Sequence, residues 1–146
     1  MYKLLSSNSR AQNDFLVDKN FKKLVNKLNK DSVVIDIGAN IGNVSNYILE
    51  KKQSKIFAFE PNKLCFEIMA RRFLDDKRIK IYNIAVSNYT GLSDFYLHEK
   101  SLGINDFGYI ESSSLKSQKD NVSQQNKVKI NVINISEILS KFDKID

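Results

Sequence analysis

Val33-Val34-Ile35-Asp36-Ile37-Gly38-Ala39-Asn40-Ile41-Gly42 decides how the rest of this chain is read. An apolar run with one acid in it leads into a glycine-bearing turn, and a helical pattern with Val44 and Ile48 on one face follows. A short β-branched run bounded by a turn reads as a buried strand, and strands alternating with helices argue for parallel β-α-β units. Glycine lets the backbone turn sharply and approach a ligand closely. In open α/β sheets, ligands gather at the carboxyl ends of such strands. A second acid, Glu60, closes the next apolar run, Ile56-Phe57-Ala58-Phe59. An acid at that place can accept both hydroxyls of a ribose.

Spacing then selects among nucleoside cofactors. A dinucleotide fingerprint wants G-x-G-x-x-G. Here Asn40 replaces the middle glycine, and Asp36 stands two residues before Gly38. A carboxylate there repels a pyrophosphate and attracts an ammonium. That points to S-adenosylmethionine rather than NAD. Gly38, Ala39, Asn40 and Gly42 are expected to line the methionine end. Asp36 is expected to fix the amino group, directly or through water. The plainer role for Asp36 is to sit at the N-terminus of the following helix, where the dipole favours a negative charge. The plainer role for Glu60 is a solvated charge at a strand end.

At these residues the chain resembles the FkbM-type methyltransferases, a branch of the S-adenosylmethionine-dependent class I enzymes. The resemblance is carried by Ile35 to Gly42, then by Phe57-Ala58-Phe59-Glu60-Pro61 and Asn83-Ile84-Ala85-Val86-Ser87. Gly91 with Phe95-Tyr96, then Ser113-Ser114-Leu115, and Val132-Ile133-Asn134-Ile135-Ser136-Glu137-Ile138-Leu139 complete it. The first piece is common to many methyltransferases, and the combination is much more specific. The resemblance implies methyl transfer to a hydroxyl oxygen of a sugar, glycolipid or secondary metabolite. It also places the adenine near Asn83 and Ala85. The family reads on past Lys144-Ile145-Asp146 through Lys-Ile-Asp-x-Glu-Gly into further strands and helices. The resemblance therefore implies a front, cofactor-binding portion that shows little or no methyl transfer alone. An inactive cofactor-binding fragment is the alternative to an enzyme.

Composition narrows the remaining classes. A chain of 146 residues is one domain at most, and 42% apolar residues are ample for a core. The net charge of +6 comes from scattered lysines. Lys22-Lys23, Lys51-Lys52 and Arg71-Arg72 read as solvated pairs on helix faces, not as the basic stripe of a nucleic-acid binder. No Asn/Asp-Pro-Pro-Tyr/Phe acceptor motif is present, so no nucleic-acid partner is expected. The single cysteine, Cys65, excludes an internal disulfide and reads as a small buried hydrophobe. No apolar run is long enough for a membrane span, and Met1-Tyr2-Lys3-Leu4-Leu5 is inadequate for a signal peptide. A cytoplasmic protein with a small-molecule or glycan acceptor is expected.

The pattern along the chain gives an N-terminal segment and helix over 1–30, and a partial cofactor-binding domain over 31–146. Residues 1–17 are poorly patterned. Asp18 can cap a helix carrying Phe21, Leu24, Val25 and Leu28. Strands are expected at Val33–Ile37, Lys55–Glu60 and Ile79–Ile84, with Asn62 capping the helix that bears Leu64, Cys65, Ile68 and Met69. This alternation predicts a Rossmann-like, doubly wound α/β sheet, apparently truncated after about three parallel strands. Ser93–Leu97 and Val128–Ile133 are expected to extend that sheet, partly antiparallel. Residues 98–110 read as irregular and 111–127 as a long polar loop. Ile135, Ile138, Leu139 and Phe142 form a last helical face. The second edge of Val33–Ile37 has no obvious cover in the sequence.

Other chemistry-bearing residues are few. His98 is the only imidazole, and it reads as a surface histidine rather than a general base. Ser112-Ser113-Ser114 read as loop, and Asp146 as a chain end. No His/Cys cluster has metal-ligand spacing.

Overall fold

The computed structural model describes residues 19–98, 115 and 122–143. The expectations for residues 1–17, Asp18, Ser112–Ser114 and Asp146 lie outside these. The described elements run α1 (Lys19–Lys27), β1 (Val33–Ile37), α2 (Asn43–Lys51), β2 (Lys55–Phe59), α3 (Lys63–Arg72), β3 (Ile79–Tyr82), β4 (Ala85–Ser87), β5 (Gly91–His98), β6 (Val122–Asn134) and α4 (Ile135–Leu139).

β1, β2 and β3 form a parallel sheet in that order. Val34 and Asp36 stand opposite Ile56 and Ala58, which stand opposite Ile79 and Ile81. Successive side chains of a strand point to opposite faces, so these residues share one face. Ile56, Ala58 and Ile79 there pack with Val25 of α1, Ile48 and Leu49 of α2, and Met69 and Phe73 at the end of α3. The helices α2 and α3 are both crossovers, and both lie on this face. A right-handed crossover keeps its helix on the same face as long as the strand order advances in one direction. The order β1-β2-β3 never reverses among the described residues, so the doubly wound expectation is not met there: helices cover one face.

The other face carries Ile35, Ile37, Phe57, Phe59 and Tyr82. Phe142 packs its ring edge-on against Phe57 at 4.7 Å between centroids. Phe59 stacks on Tyr82 at 5.0 Å. Ile37 is left 51% exposed. Among the described residues β1 has a single strand neighbour, β2.

The later strands are strands, as expected, but they build a second sheet rather than extending the first. Its order is β4-β6-β5. β6 pairs in parallel with β4 and antiparallel with β5. The ladder breaks at Asn83-Ile84, which separate β3 from β4. Asn83 spends its side-chain amide on the carbonyls of Glu60 and Pro61, which pins the chain to the end of β2 before β4 begins. β6 also starts at Val122, so residues 122–127, expected as loop, are strand. Their backbone is held by β5, with Lys127 opposite Tyr96 and Val122 opposite His98 across an irregularity in the ladder. The same pairing makes the backbone of His98 the end of β5 instead of irregular chain.

Candidate cofactor-binding site

The turn after β1 is built from alternating left-handed residues. Gly38 has φ 73, Asn40 φ 54 and Gly42 φ 83. Two of the three are the glycines that such a backbone favours. Gly42 is needed for a second reason. A Cβ there would lie 2.6 Å from a ring carbon of Phe73 and 3.0 Å from Met69 Cγ, so the turn can pack against the end of α3 only without one. Gly38 differs: a Cβ there would meet nothing within 4 Å. The space over Gly38 is open to a ligand.

The donors of this turn are largely engaged within the protein. The N–H groups of Gly38 and Ala39 both donate to the carbonyl of Phe59, at 2.9 and 3.1 Å. The N–H of Asn40 donates to Glu60 Oε2 at 2.8 Å, and that of Gly42 to the carbonyl of Ala39 at 2.8 Å. A phosphate cradle needs several convergent free N–H groups. With these four spoken for, the turn is poorly suited to a pyrophosphate, in keeping with the Asn40 substitution in the fingerprint.

Asp36 and Glu60 end neighbouring parallel strands on either side of this turn. Asp36 Oδ2 accepts from the Ser45 hydroxyl at 2.7 Å. Ser45 is in the first turn of α2, and Gly42 at the N-cap supplies no side-chain cap, so the carboxylate of Asp36 serves that helix end. Burial raises its pKa, opposed by the hydroxyl and backbone N–H of Ser45. Glu60 is buried, 6% exposed. Its Oε1 accepts the N–H of Asn62 at 2.7 Å, while Oε2 holds Asn40. Burial raises its pKa as well; the N–H groups of Asn62 and Asn40 oppose this, and the nearby charge of Asp36 adds to it. Glu60 is therefore not a solvated strand-end charge. Each carboxylate oxygen can accept more than one hydrogen bond, so both acids retain capacity for a ligand.

Asn62 caps α3 as expected, accepting from the N–H groups of Leu64 and Cys65. Cys65 is fully buried. Asn83 reaches the end of β2 through its amide, whereas Ala85 is buried at the start of β4 opposite Val132. Arg72, read from sequence as one of a solvated pair, is instead half-buried. It donates to the carbonyl of Ile41 at 3.3 Å and to Asn43 Oδ1 at 2.8 Å, bracing the turn from α3. Burial lowers its pKa. Nothing in a single sequence marks Ser45 as facing the strand acid 9 positions before it, or Arg72 as facing the turn 31 positions before it.

A groove of about 410 Å³ opens beside this site. Pro61, Asn62 and Asn83 border it at the sheet end, and Leu92, Val128 and Ile130 from the second sheet. Neither Asp36 nor Gly38 lines it. Among the described residues, no group of three or more His, Cys, Asp or Glu side chains could hold a metal, and no helix is long and apolar enough to cross a membrane.

No curated protein matches the chain. Among solved structures, the crystal structure of MccD protein aligns at a TM-score of 0.37 with 9% identity, covering 58% of this chain and 55% of that one. The chain thus spans about half the length of that structure. Residues 36–146 match the methyltransferase FkbM domain. That match starts at Asp36 near the end of β1, takes in the glycine turn, Glu60 and every later strand, and places this chain in the FkbM methyltransferase family.

Proposed function

We propose that the carboxyl ends of β1–β3 bind S-adenosylmethionine, in the manner of a Rossmann-like cofactor domain, for methyl transfer to a hydroxyl of a sugar, glycolipid or secondary metabolite. One observation carries the reading: a part-buried carboxylate, Asp36, and a buried one, Glu60, flank a turn whose N–H groups are used internally and whose Gly38 faces open space. The residues fit that cofactor. Asp36 would take the ammonium and Glu60 the ribose hydroxyls. Gly38, Ala39, Asn40 and Gly42 would line the methionine end, with Asn83 and Ala85 toward the adenine. The cofactor supplies a methyl on a sulfonium, open to attack by an oxygen. The acids neutralise its cationic end and orient it.

Calorimetric titration with S-adenosylhomocysteine tests this. The protein is expected to bind, and Glu60→Ala to weaken binding without unfolding, by about 1.5–3 kcal/mol per charged hydrogen bond lost. Absence of heat from the folded wild-type protein removes the reading.

A second reading is a cofactor-binding portion with no methyl transfer of its own. That β1 pairs with β2 alone among the described residues favours it. Catalysis needs the acceptor oxygen held in line with the methyl, and the strand ends that would hold it next to β1 are not among the described residues. Turnover on a hydroxylated glycan by the 146-residue chain decides between the two.

A further inference from the structure

Glu60 reads from sequence as a ribose acceptor, yet both its oxygens are already engaged by main chain. Oε1 takes the N–H of Asn62, two residues on. Oε2 takes the N–H of Asn40, twenty residues back, across the gap between β2 and the turn after β1. The carbonyl of the same residue takes the side-chain amide of Asn83 from the end of β3. One residue thus ties the ends of three strands together.

The bond to Asn40 stands out among these. Asn40 is the one non-glycine with positive φ among the described residues, at φ 54. Few non-glycine residues adopt that region, asparagine more readily than most, and such conformations persist where surrounding structure determines them. The rest of the turn has other holds: Phe59 for Gly38 and Ala39, Arg72 for Ile41, Ala39 for Gly42. The hold on the N–H of Asn40 is Glu60. Removing it leaves a part-buried donor without its acceptor in a disfavoured conformation.

We infer that Glu60 is a positioning residue, the clamp that sets the glycine turn in its ligand-ready shape before a ligand arrives. This deepens the cofactor reading and rests on it for the ligand, but the clamp itself is a property of the free protein. A turn already shaped spares the ligand the cost of ordering it.

The test uses Glu60→Gln, alone and with Asn40→Gly, followed by amide hydrogen exchange on ligand-free protein and by titration with S-adenosylhomocysteine. Glutamine keeps the size and one acceptor oxygen but turns an NH₂ toward the other donor. Exchange at the Asn40 N–H is expected to rise about tenfold or more, with β1 and β2 still protected. Affinity is expected to fall, and Asn40→Gly to recover part of it, because glycine occupies φ 54 without a clamp. A purely ribose-binding acid predicts no such recovery. If Glu60→Gln fails to fold, Glu60→Asp serves, since the shorter side chain cannot span both donors. Unchanged exchange at Asn40 in a folded variant overturns the clamp. So does an affinity loss that Asn40→Gly leaves untouched. Failure of the wild-type protein to bind refutes the cofactor reading alone, and the exchange result still judges the clamp.

Discussion

At Gly42 a side chain is excluded twice, by φ 83 and by the ring of Phe73 against it. At Gly38 only the first exclusion holds. Gly42→Ala is expected to lose about 2–4 kcal/mol of stability, combining left-handed strain with overpacking. Gly38→Ala is expected to lose about 1–2 kcal/mol from strain alone, yet to lose cofactor affinity, because its Cβ enters the open space. Urea unfolding and titration of both variants separate the two roles, and equal stability losses would contradict the difference. The pair also shows what the sequence could carry. Both glycines, Asp36 and Glu60 are legible, since an acid or glycine closing an apolar run has few structural excuses. The bonds of Ser45 to Asp36, of Asn40 to Glu60 and of Arg72 to Ile41 are not, because a hydrogen bond between separated positions leaves no local pattern. Asp36 gives a pH signature. Its folded pKa is raised by burial, so the native state binds its proton more tightly than the unfolded chain. Between the ordinary carboxylate range and the raised value, the native state holds more protons, and this group's contribution to stability falls as pH rises. Asp36→Asn removes that titration. Relative to wild type, the variant is expected to gain stability as pH climbs through that window and to hold the gain above it. A stability difference independent of pH would show that Asp36 titrates alike in both states.

Among the elements, those with apolar periodicity are where the sequence places them. β1, β2 and β3 follow their β-branched and aromatic runs, and α2 and α3 follow their apolar faces. α3 also has a visible start, since Pro61 cannot donate to a ladder and Asn62 is a good cap. Asn62→Ala is expected to cost about 0.5–2 kcal/mol, because it removes the acceptor of the Leu64 and Cys65 N–H groups. Unchanged unfolding would mean that the N-terminus of α3 is held by packing alone. β6 teaches the reverse. Ser123-Gln124-Gln125-Asn126-Lys127 has no strand pattern, and among the described residues it is pairing with β5 that accompanies its strand backbone. Nor does any run of residues state the strand order, from which it follows that helices cover one face of the first sheet. α4 is short, and Asn134 caps it by accepting from Ser136.

In the molecule as a whole, two three-stranded sheets must be held together without a shared ladder. Asn83 anchors the chain to the end of β2 just before it enters the second sheet, and Phe142, beyond α4, lays its ring on Phe57 in the middle of β2. The aromatic contact covers part of the face of the parallel sheet opposite α2 and α3. Lys80 reaches over the same Phe57 ring at 5.8 Å, so that face is part apolar and part charged. The match to the family runs from the end of β1 through the second sheet, and the groove beside Asn83 runs between the sheets, so how firmly they dock bears on the site. Phe142→Ala is expected to cost about 1–3 kcal/mol, less than the about 3–5 kcal/mol of a fully buried ring, since Phe142 is half-buried. If the two sheets form one cooperative unit, urea unfolding of the variant shows a lowered midpoint with unchanged slope. A second transition would instead mean that this contact is what couples them, and the exposure of Phe57 would then leave the parallel sheet as the more fragile part. An unchanged midpoint would mean that the ring merely rests on the surface and that the sheets are coupled without it.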